Sequence, residues 1–101
     1  MGTSVIIDQN QYRETVTRLS REIPLEENGC FHFFAVQALK LHKRAGIERL
    51  DAILGVKFDV FNPLVTAHEA LLRTAYRSCG ETTQSRMRTL VEILRAAVVK
   101  N

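Results

Sequence analysis

Residues 62–97, NPLVTAHEALLRTAYRSCGETTQSRMRTLVEILRAA, are the stretch that most constrains the fold. Asn62 followed by Pro63 indicates a helix start, because Asn caps free N–H groups and Pro lacks a donor that the first turn could not use. Small and apolar residues then recur at helical spacing, with the same phase before and after Gly80. They are Leu64, Ala67, His68, Leu71, Leu72, Ala75, Cys79, Thr82, Thr89, Leu90, Ile93 and Ala97.

The unbroken phase predicts one helix of about 35 residues, about 50 Å long at 1.5 Å per residue. Two helices joined at Gly80-Glu81-Thr82 are the alternative, because glycine is also common just past a helix end. A chain of 101 residues with two Tyr, five Phe and no Trp has too small a core to cover so long a helix. We therefore expect a second copy to cover it in a four-helix-like homodimer. The predicted dimer interface consists of Leu64, Leu71, Ala75, Leu90 and Ile93.

The part of the chain before this stretch is predicted to be helical as well. Asp8 and Gln11 form a capping-box pattern ahead of apolar residues at helical spacing, and Pro24 ends that helix. Residues 30–45 carry a broad apolar face, as expected for a core helix. Beyond Gly46 the apolar positions rotate around the helix axis, which predicts a bend followed by helix to about residue 54.

The composition is that of an ordinary globular protein, with 46% hydrophobic and 25% charged residues. Disordered, collagen-like and mucin-like classes are excluded on that ground. The predicted fold class is all-α, with a short N-terminal helix plus two long antiparallel helices that pair as a helical-bundle homodimer. Residues 1–101 are predicted to form a single helical domain, because no linker, repeat or low-complexity tract divides them.

Positive charge is concentrated in the last third of the chain. The formal net charge is +3, and residues 73–101 carry six Arg and Lys residues against Glu81 and Glu92. Such a segment suits nucleic acid or an acidic protein. No short helix-turn-helix pair and no aromatic stacking platform accompanies it, so a protein partner is favoured and no direct nucleic-acid contact is expected. A weak DNA-binding helical dimer is the alternative.

The longest apolar runs, such as residues 33–36, are far too short to cross a bilayer. No signal-peptide pattern precedes them, so we expect a cytoplasmic protein without membrane contact. In a reducing compartment Cys30 and Cys79 are expected to remain free thiols that pack as small hydrophobes.

The residue types that carry catalysis or bind metals are scattered singly along the sequence. Cys30, His32, His42, His68 and Cys79 lack the spacing of zinc ligands. Neither an activated-nucleophile motif nor a glycine-rich phosphate loop is found in the sequence. We therefore expect no catalytic residues, no metal, no cofactor and no enzymatic activity. His42 and His68 lie on apolar stripes, which is typical of core or interface histidines.

Four short motifs in residues 19–101 occur in a suggestive order. They are Leu19-Ser20-Arg21-Glu22-Ile23-Pro24, then Ala38 with His42-Lys43-Arg44 and Asp51, then Thr89-Leu90 with Ile93-Leu94, and the ending Val98-Val99-Lys100-Asn101. The set resembles the TraM-type quorum-sensing antiactivators. That family shows a Leu-Thr-Arg-x-Leu-Pro stretch, an Ala-x-x-x-His-Arg-Arg helix and a late Thr-Leu-x-x-Ile-Leu before a valine-rich end in Asn.

The resemblance implies an all-α homodimer with two long antiparallel helices. It also implies a function, since members of the family bind a LuxR-type, acyl-homoserine-lactone-dependent activator (TraR) and take it off DNA. Plasmid conjugal-transfer genes then stay silent until quorum is reached. A small helical adaptor or an immunity-type protein with another partner is the alternative interpretation.

The partner contact is predicted at the exposed edge of the last helix. Arg88 and Arg95 would pair there with acidic groups, and Leu94 and Val98 would supply apolar anchors. An apolar centre with a charged rim is the usual anatomy of a protein interface. The alternative for Leu94 and Val98 is that they close the dimer.

Overall fold

The computed structural model describes residues 5–55 and 66–100, which are mostly helical, as the sequence predicts. Within these two ranges, two short strands flank five α-helices. In chain order the elements are β1 (Val5–Asp8), α1 (Gln9–Ser20), a 3-10 turn (Leu25–Glu27), α2 (Asn28–Ala45), α3 (Ile47–Leu54), α4 (Ala67–Ser78), α5 (Glu81–Ala96) and β2 (Ala97–Lys100).

Helix α1 begins where the capping-box pattern predicts. The Asp8 carboxylate accepts a hydrogen bond from the Gln11 backbone N–H at 2.7 Å, and the Gln11 side chain accepts one from the Asp8 N–H at 2.8 Å. Two donors that the first turn would leave unpaired are thereby satisfied. The helix ends at Ser20, four residues before Pro24, and turns precede the 3-10 segment.

The predicted bend between α2 and α3 lies at Gly46. Its φ is +90°, a backbone conformation that residues with a Cβ rarely adopt, and its N–H donates to the His42 carbonyl at 2.9 Å. Helix α3 then runs to Leu54, the predicted end. Gln37 of α2 is buried although its side chain is polar.

The prediction of one unbroken helix through Gly80 is wrong. Helix α4 ends at Ser78, Cys79 and Gly80 have extended backbones, and α5 begins at Glu81. The start of α5 is capped from outside its own sequence, because Glu27 accepts a hydrogen bond from the Gly80 N–H at 2.9 Å and another from the Thr83 hydroxyl. A carboxylate at a helix N-terminus also interacts favourably with the helix dipole.

The helices α1, α3, α4 and α5 all pack against α2, the central element of the core. The buried face of α5 is rotated by about one residue from the predicted stripe, since Thr83 is buried where Thr82 was expected. The largest fully buried side chains are Phe31, Phe34, Leu50, Ile53, Leu72, Met87, Leu90, Leu94 and Thr83.

The largest dimension of the molecule is 36 Å, shorter than the predicted 50 Å helix. Helices α4 and α5 each bury part of the apolar stripe within one chain, with Leu72 and Ala75 from α4 and Leu90 from α5. The uncovered long helix, which was the physical reason to expect a dimer, is therefore not a feature of this fold. The predicted helix start at Asn62-Pro63 lies outside the described residues; α4 begins at Ala67, after a capping box formed by Thr66 and Glu69.

Two strands that the sequence did not predict join the ends of the described chain. Strands β1 and β2 pair in parallel, with Val5 opposite Ala97 and Asp8 opposite Lys100. The helical bundle forms the crossover that a parallel pair requires. Four-residue strands carry too little alternation to be recognised locally, so only the folded chain reveals them.

Replacing Glu27 with glutamine is expected to destabilise the fold at neutral pH and to weaken its pH dependence in acid. The hydrogen bonds from Thr83 and Gly80 lower the pKa of Glu27. A lowered folded-state pKa gives stability that is complete above the unfolded-state pKa, about 4.3, and is lost as the pH falls through the folded-state pKa. Thermal unfolding measured at several pH values between about 3 and 7 tests this.

The exposed neighbour Glu26 offers a matched control, because Glu26→Gln removes the same charge from the same 3-10 turn. A Glu27→Gln profile that overlays that of Glu26→Gln would show that the carboxylate does not cap α5.

Candidate functional site

An apolar groove runs between α1 and α2. Its volume is about 280 Å³, and its apolar lining comes from both helices. Tyr12 and Val16 contribute from α1, and Ala35, Val36 and Leu39 contribute from α2. One face of α1 packs against α2 in the core. The adjoining edges of the two helices remain open to solvent, and the groove lies between those edges.

Tyr12 fixes α1 against α2 at the floor of this groove. Its hydroxyl donates a hydrogen bond of 2.8 Å to the Ala35 carbonyl, which lies 23 residues away in sequence. Burial raises the pKa of Tyr12, so the phenol stays neutral and remains a donor at physiological pH. The floor is therefore held by a buried hydrogen bond as well as by packing.

The rim of the groove is positively charged. Arg13 from α1 and Lys40 and Lys43 from α2 line it, together with Gln9 and His32. None of these lining residues, all of them within the described ranges, carries a carboxylate. The groove thus combines an apolar floor with cationic side chains on its rim, a combination that is complementary to an acidic amphipathic segment.

The apolar surface extends beyond the groove along α2. Val36, on the groove edge, is 49% exposed, and Phe33, one turn earlier, is also exposed. Single exposed apolar residues are ordinary on protein surfaces, but here Val36 lines an apolar groove and Phe33 lies three residues before it on the same helix. We define the α1–α2 surface as Tyr12, Arg13, Phe33, Val36, Leu39, Lys40 and Lys43.

The predicted partner-binding residues of the last helix have different environments. Arg88 is exposed and donates to the Tyr76 hydroxyl at 2.9 Å. One guanidinium nitrogen of Arg95, Nη2, donates to both carboxylate oxygens of Asp51 at 2.8 and 2.7 Å, and this pairing raises the pKa of Arg95 further. Leu94 is fully buried in the core, where it is not available as an exposed anchor. The backbone of Val98 lies in β2, opposite Ile6.

The predicted dimer-interface residues are similarly divided. Leu90 is fully buried and Ala75 is buried, so both side chains pack inside one chain. Leu71 is 53% exposed and Ile93 is half-buried. Leu64 lies outside the described residues.

A buried acidic residue ties α4 to the α2–α3 corner. Glu69 is 4% exposed and accepts hydrogen bonds from Arg49 at 2.8 Å and from the Thr66 hydroxyl at 3.1 Å. Arg44 lies 3.9 Å from the Glu69 oxygen that accepts from Thr66. Burial alone would raise the pKa of Glu69, but the hydrogen bonds from Arg49 and Thr66 outweigh it and lower the pKa. Glu69 therefore stays charged, and its contacts connect the start of α4 to α2 and α3.

The sequence predicts that the histidines and cysteines lie apart from one another, but in the structure the two cysteines are in contact. Within residues 5–55 and 66–100, no group of three or more metal-ligating side chains comes together. Burial lowers the pKa of His42, so its imidazole is neutral at physiological pH. Cys30 and Cys79, by contrast, are free thiols in direct contact.

The α1–α2 surface was not recognised in the sequence. Its signal is the mixture of apolar and cationic residues at helical spacing on one side of α2, namely Val36, Leu39, Lys40 and Lys43. This pattern indicates a binding surface only once α1 is known to lie beside α2. The periodicity of one helix does not reveal which other helix packs beside it.

Comparisons of the chain with protein-family models, with characterised proteins and with solved structures give no match. The likeness to the antiactivators is thus carried by the sequence motifs alone. Among the described parts of the chain, no helix is long and apolar enough to cross a membrane.

Proposed function

We propose that this protein is an antiactivator, which binds a LuxR-type, acyl-homoserine-lactone-dependent transcriptional activator and blocks its DNA binding. Its role would be to restrain quorum sensing and plasmid conjugal transfer in the cytoplasm. The observation that carries the proposal is the α1–α2 surface, an apolar groove of about 280 Å³ with a positive rim. The antiactivator motifs supply the class of partner, and Lys43 belongs both to those motifs and to the rim.

The occupant of the groove is an acidic amphipathic helix of the activator. Such a helix places apolar side chains at positions i, i+3, i+4 and i+7, which lie along a groove between two helices. Its flanking carboxylates meet Arg13, Lys40 and Lys43 on the rim. Apolar contacts then supply affinity, and the charges supply orientation and the rate of association.

The activator is inhibited if the helix that the groove binds belongs to, or adjoins, the part of the activator that reads DNA. The complex either covers the reading helices or holds the two half-site readers at the wrong spacing. Homodimerisation is part of the proposal, and the exposed Leu71 on α4 is a contact that the single chain leaves available. A dimer could engage both halves of a dimeric activator and gain avidity.

Reversing two rim charges, with Arg13→Glu and Lys40→Glu together, is expected to weaken binding of a LuxR-type activator roughly tenfold. Each exposed cation contributes about 0.5–1 kcal/mol, and 1.4 kcal/mol corresponds to a factor of ten. Isothermal titration of the purified activator with each variant measures the change. The matched control is Arg18→Glu with Arg21→Glu, which alters the net charge equally on exposed positions of α1 and its C-terminal turn that do not line the groove.

Arg88→Glu separates this surface from the edge of α5. If Arg88→Glu weakens binding while the rim variant does not, the partner contact lies on α5 and the groove assignment is wrong. If the activator does not bind the wild-type protein at all, the antiactivator proposal fails. Tight, steeply salt-dependent binding of the isolated protein to duplex DNA would instead favour the DNA-binding alternative.

A further inference from the structure

Two thiols from distant parts of the sequence meet at one end of the bundle. Cys30 lies in the first turn of α2, and Cys79 lies in the break between α4 and α5. Their sulfur atoms are 3.5 Å apart, although the residues are 49 positions apart in sequence. The Cys30 sulfur also lies 3.4 Å from the Ala75 carbonyl, which holds it at this position.

We propose that Cys30 and Cys79 form a reversible intrachain disulfide, and that this dithiol is an oxidation site of the protein. A disulfide bond is about 2.05 Å long, so the sulfurs need to approach by about 1.5 Å. Cys79 is outside any helix, with φ of −92° and ψ of 157°. Because Cys79 lies outside the helices, its side chain can rotate toward Cys30 without breaking a helical turn.

The two thiols differ in access, which sets the order of reaction. Cys30 is half-buried, whereas Cys79 is 8% exposed. With a low-molecular-weight disulfide such as oxidised glutathione as oxidant, the Cys30 thiolate attacks one glutathione sulfur. A mixed disulfide forms and one glutathione thiolate leaves.

Cys79 completes the exchange. Its thiolate attacks the Cys30 sulfur, the bond to the second glutathione breaks, and that glutathione leaves as a thiolate. The protein loses two electrons and two protons, and one oxidised glutathione becomes two reduced ones, so atoms and electrons balance.

The environment of Cys79 makes this second step slow at neutral pH. In the reduced dithiol, burial, the hydrogen bond to Cys30 and the nearby Cys30 and Glu27 charges raise the pKa of Cys79 to about 12, against a smaller opposite effect of Ser78. In the mixed disulfide the two Cys30 contributions are gone, whereas burial and Glu27 still raise the pKa of the Cys79 thiol. Because the thiolate is the nucleophile, closure is expected to accelerate as the pH rises from about 7 to 9.

The closed disulfide links the first turn of α2 to the α4–α5 junction, beside the place where Glu27 caps α5. A covalent link between segments so far apart in sequence restricts the unfolded chain. The oxidised protein is therefore expected to unfold at a higher urea concentration than the reduced protein.

The test treats the full-length wild-type protein with oxidised glutathione and measures its intact mass over time. The expected product has lost two hydrogen atoms, runs as a single chain without reductant, and returns to the starting mass with dithiothreitol. The variant Cys79→Ser is expected to stop at the mixed disulfide, with one glutathione on Cys30. The variant Cys30→Ser is expected to react at least tenfold more slowly than wild type, because only the buried thiol remains.

The mass series is recorded at about pH 9, where closure is faster. The proposal is overturned if wild type at this pH retains glutathione, links two chains, or shows no change in mass. Circular dichroism of both serine variants reports whether they fold, and the wild-type mass series decides the outcome even if one does not. Activator binding is measured separately with reduced protein, so failure of the dithiol and failure of the antiactivator proposal are distinguishable.

Discussion

Replacing Leu94 with alanine is expected to lower the free energy of unfolding by about 3 kcal/mol, within the range of about 2–5 kcal/mol for buried leucines. Leu94 is 0% exposed and belongs to the core that α5 forms with the rest of the bundle. Truncation removes apolar contacts and leaves a cavity that the neighbouring helices fill only partly. Urea denaturation followed by circular dichroism measures the loss.

Leu25→Ala makes the same chemical change at a position that is 85% exposed, and is expected to cost less than about 1 kcal/mol. Equal losses for the two variants would contradict the assignment of Leu94 to the core. Repeating the denaturation over a range of protein concentrations reports on the dimer, because the stability of an obligate dimer depends on protomer concentration.

Glu69→Ala is expected to cost about 2–3 kcal/mol, since it removes a helix cap and charge-assisted hydrogen bonds together. Its carboxylate joins Arg49 and Thr66 at the start of α4, and the side chain is buried. The α2–α3 corner, which carries Arg44 and Arg49, then loses its attachment to α4. Thermal unfolding at pH 7 measures the effect.

Glu69→Gln separates the cap from the charge, because the amide oxygen still accepts hydrogen bonds. The lowered pKa of Glu69 means that its contribution is present above the unfolded-state pKa of about 4.3 and is lost as the pH falls through the folded-state pKa. The glutamine variant is therefore expected to lose less stability than wild type in that acid range. A loss for Glu69→Ala no larger than for Glu14→Ala, at an exposed position of α1, would contradict this role.

The local features of the fold were predictable because their causes are local. The cap at Asp8 depends on Gln11, three residues away, and the bend at Gly46 depends on the conformational freedom of one glycine. The break at Gly80 has a distant cause, since the carboxylate that caps α5 comes from Glu27, 53 residues earlier. Periodicity within residues 62–97 contains no information about that carboxylate.

The sequence predicted the chemistry of the candidate site but not its position in the fold. A basic protein-binding surface was expected from the charge distribution, but it was placed on α5, where the structure buries Leu94 and pairs Arg95 with Asp51. The α1–α2 surface depends on which helices are neighbours, and the Tyr12–Ala35 hydrogen bond that joins them spans 23 residues. The thiol contact has the same origin, as each cysteine alone looks like an ordinary small hydrophobe.

Release of a LuxR-type activator from its operator tests the proposed function most directly. The activator, loaded with its acyl-homoserine lactone, is bound to a fluorescent operator duplex, and reduced wild-type protein is titrated in while the anisotropy is recorded. We predict complete release by wild type, and release by the Arg13→Glu, Lys40→Glu variant only at roughly tenfold higher concentration. An activator that stays on its operator at saturating wild-type protein, or equal release by wild type and the rim variant, would contradict the account.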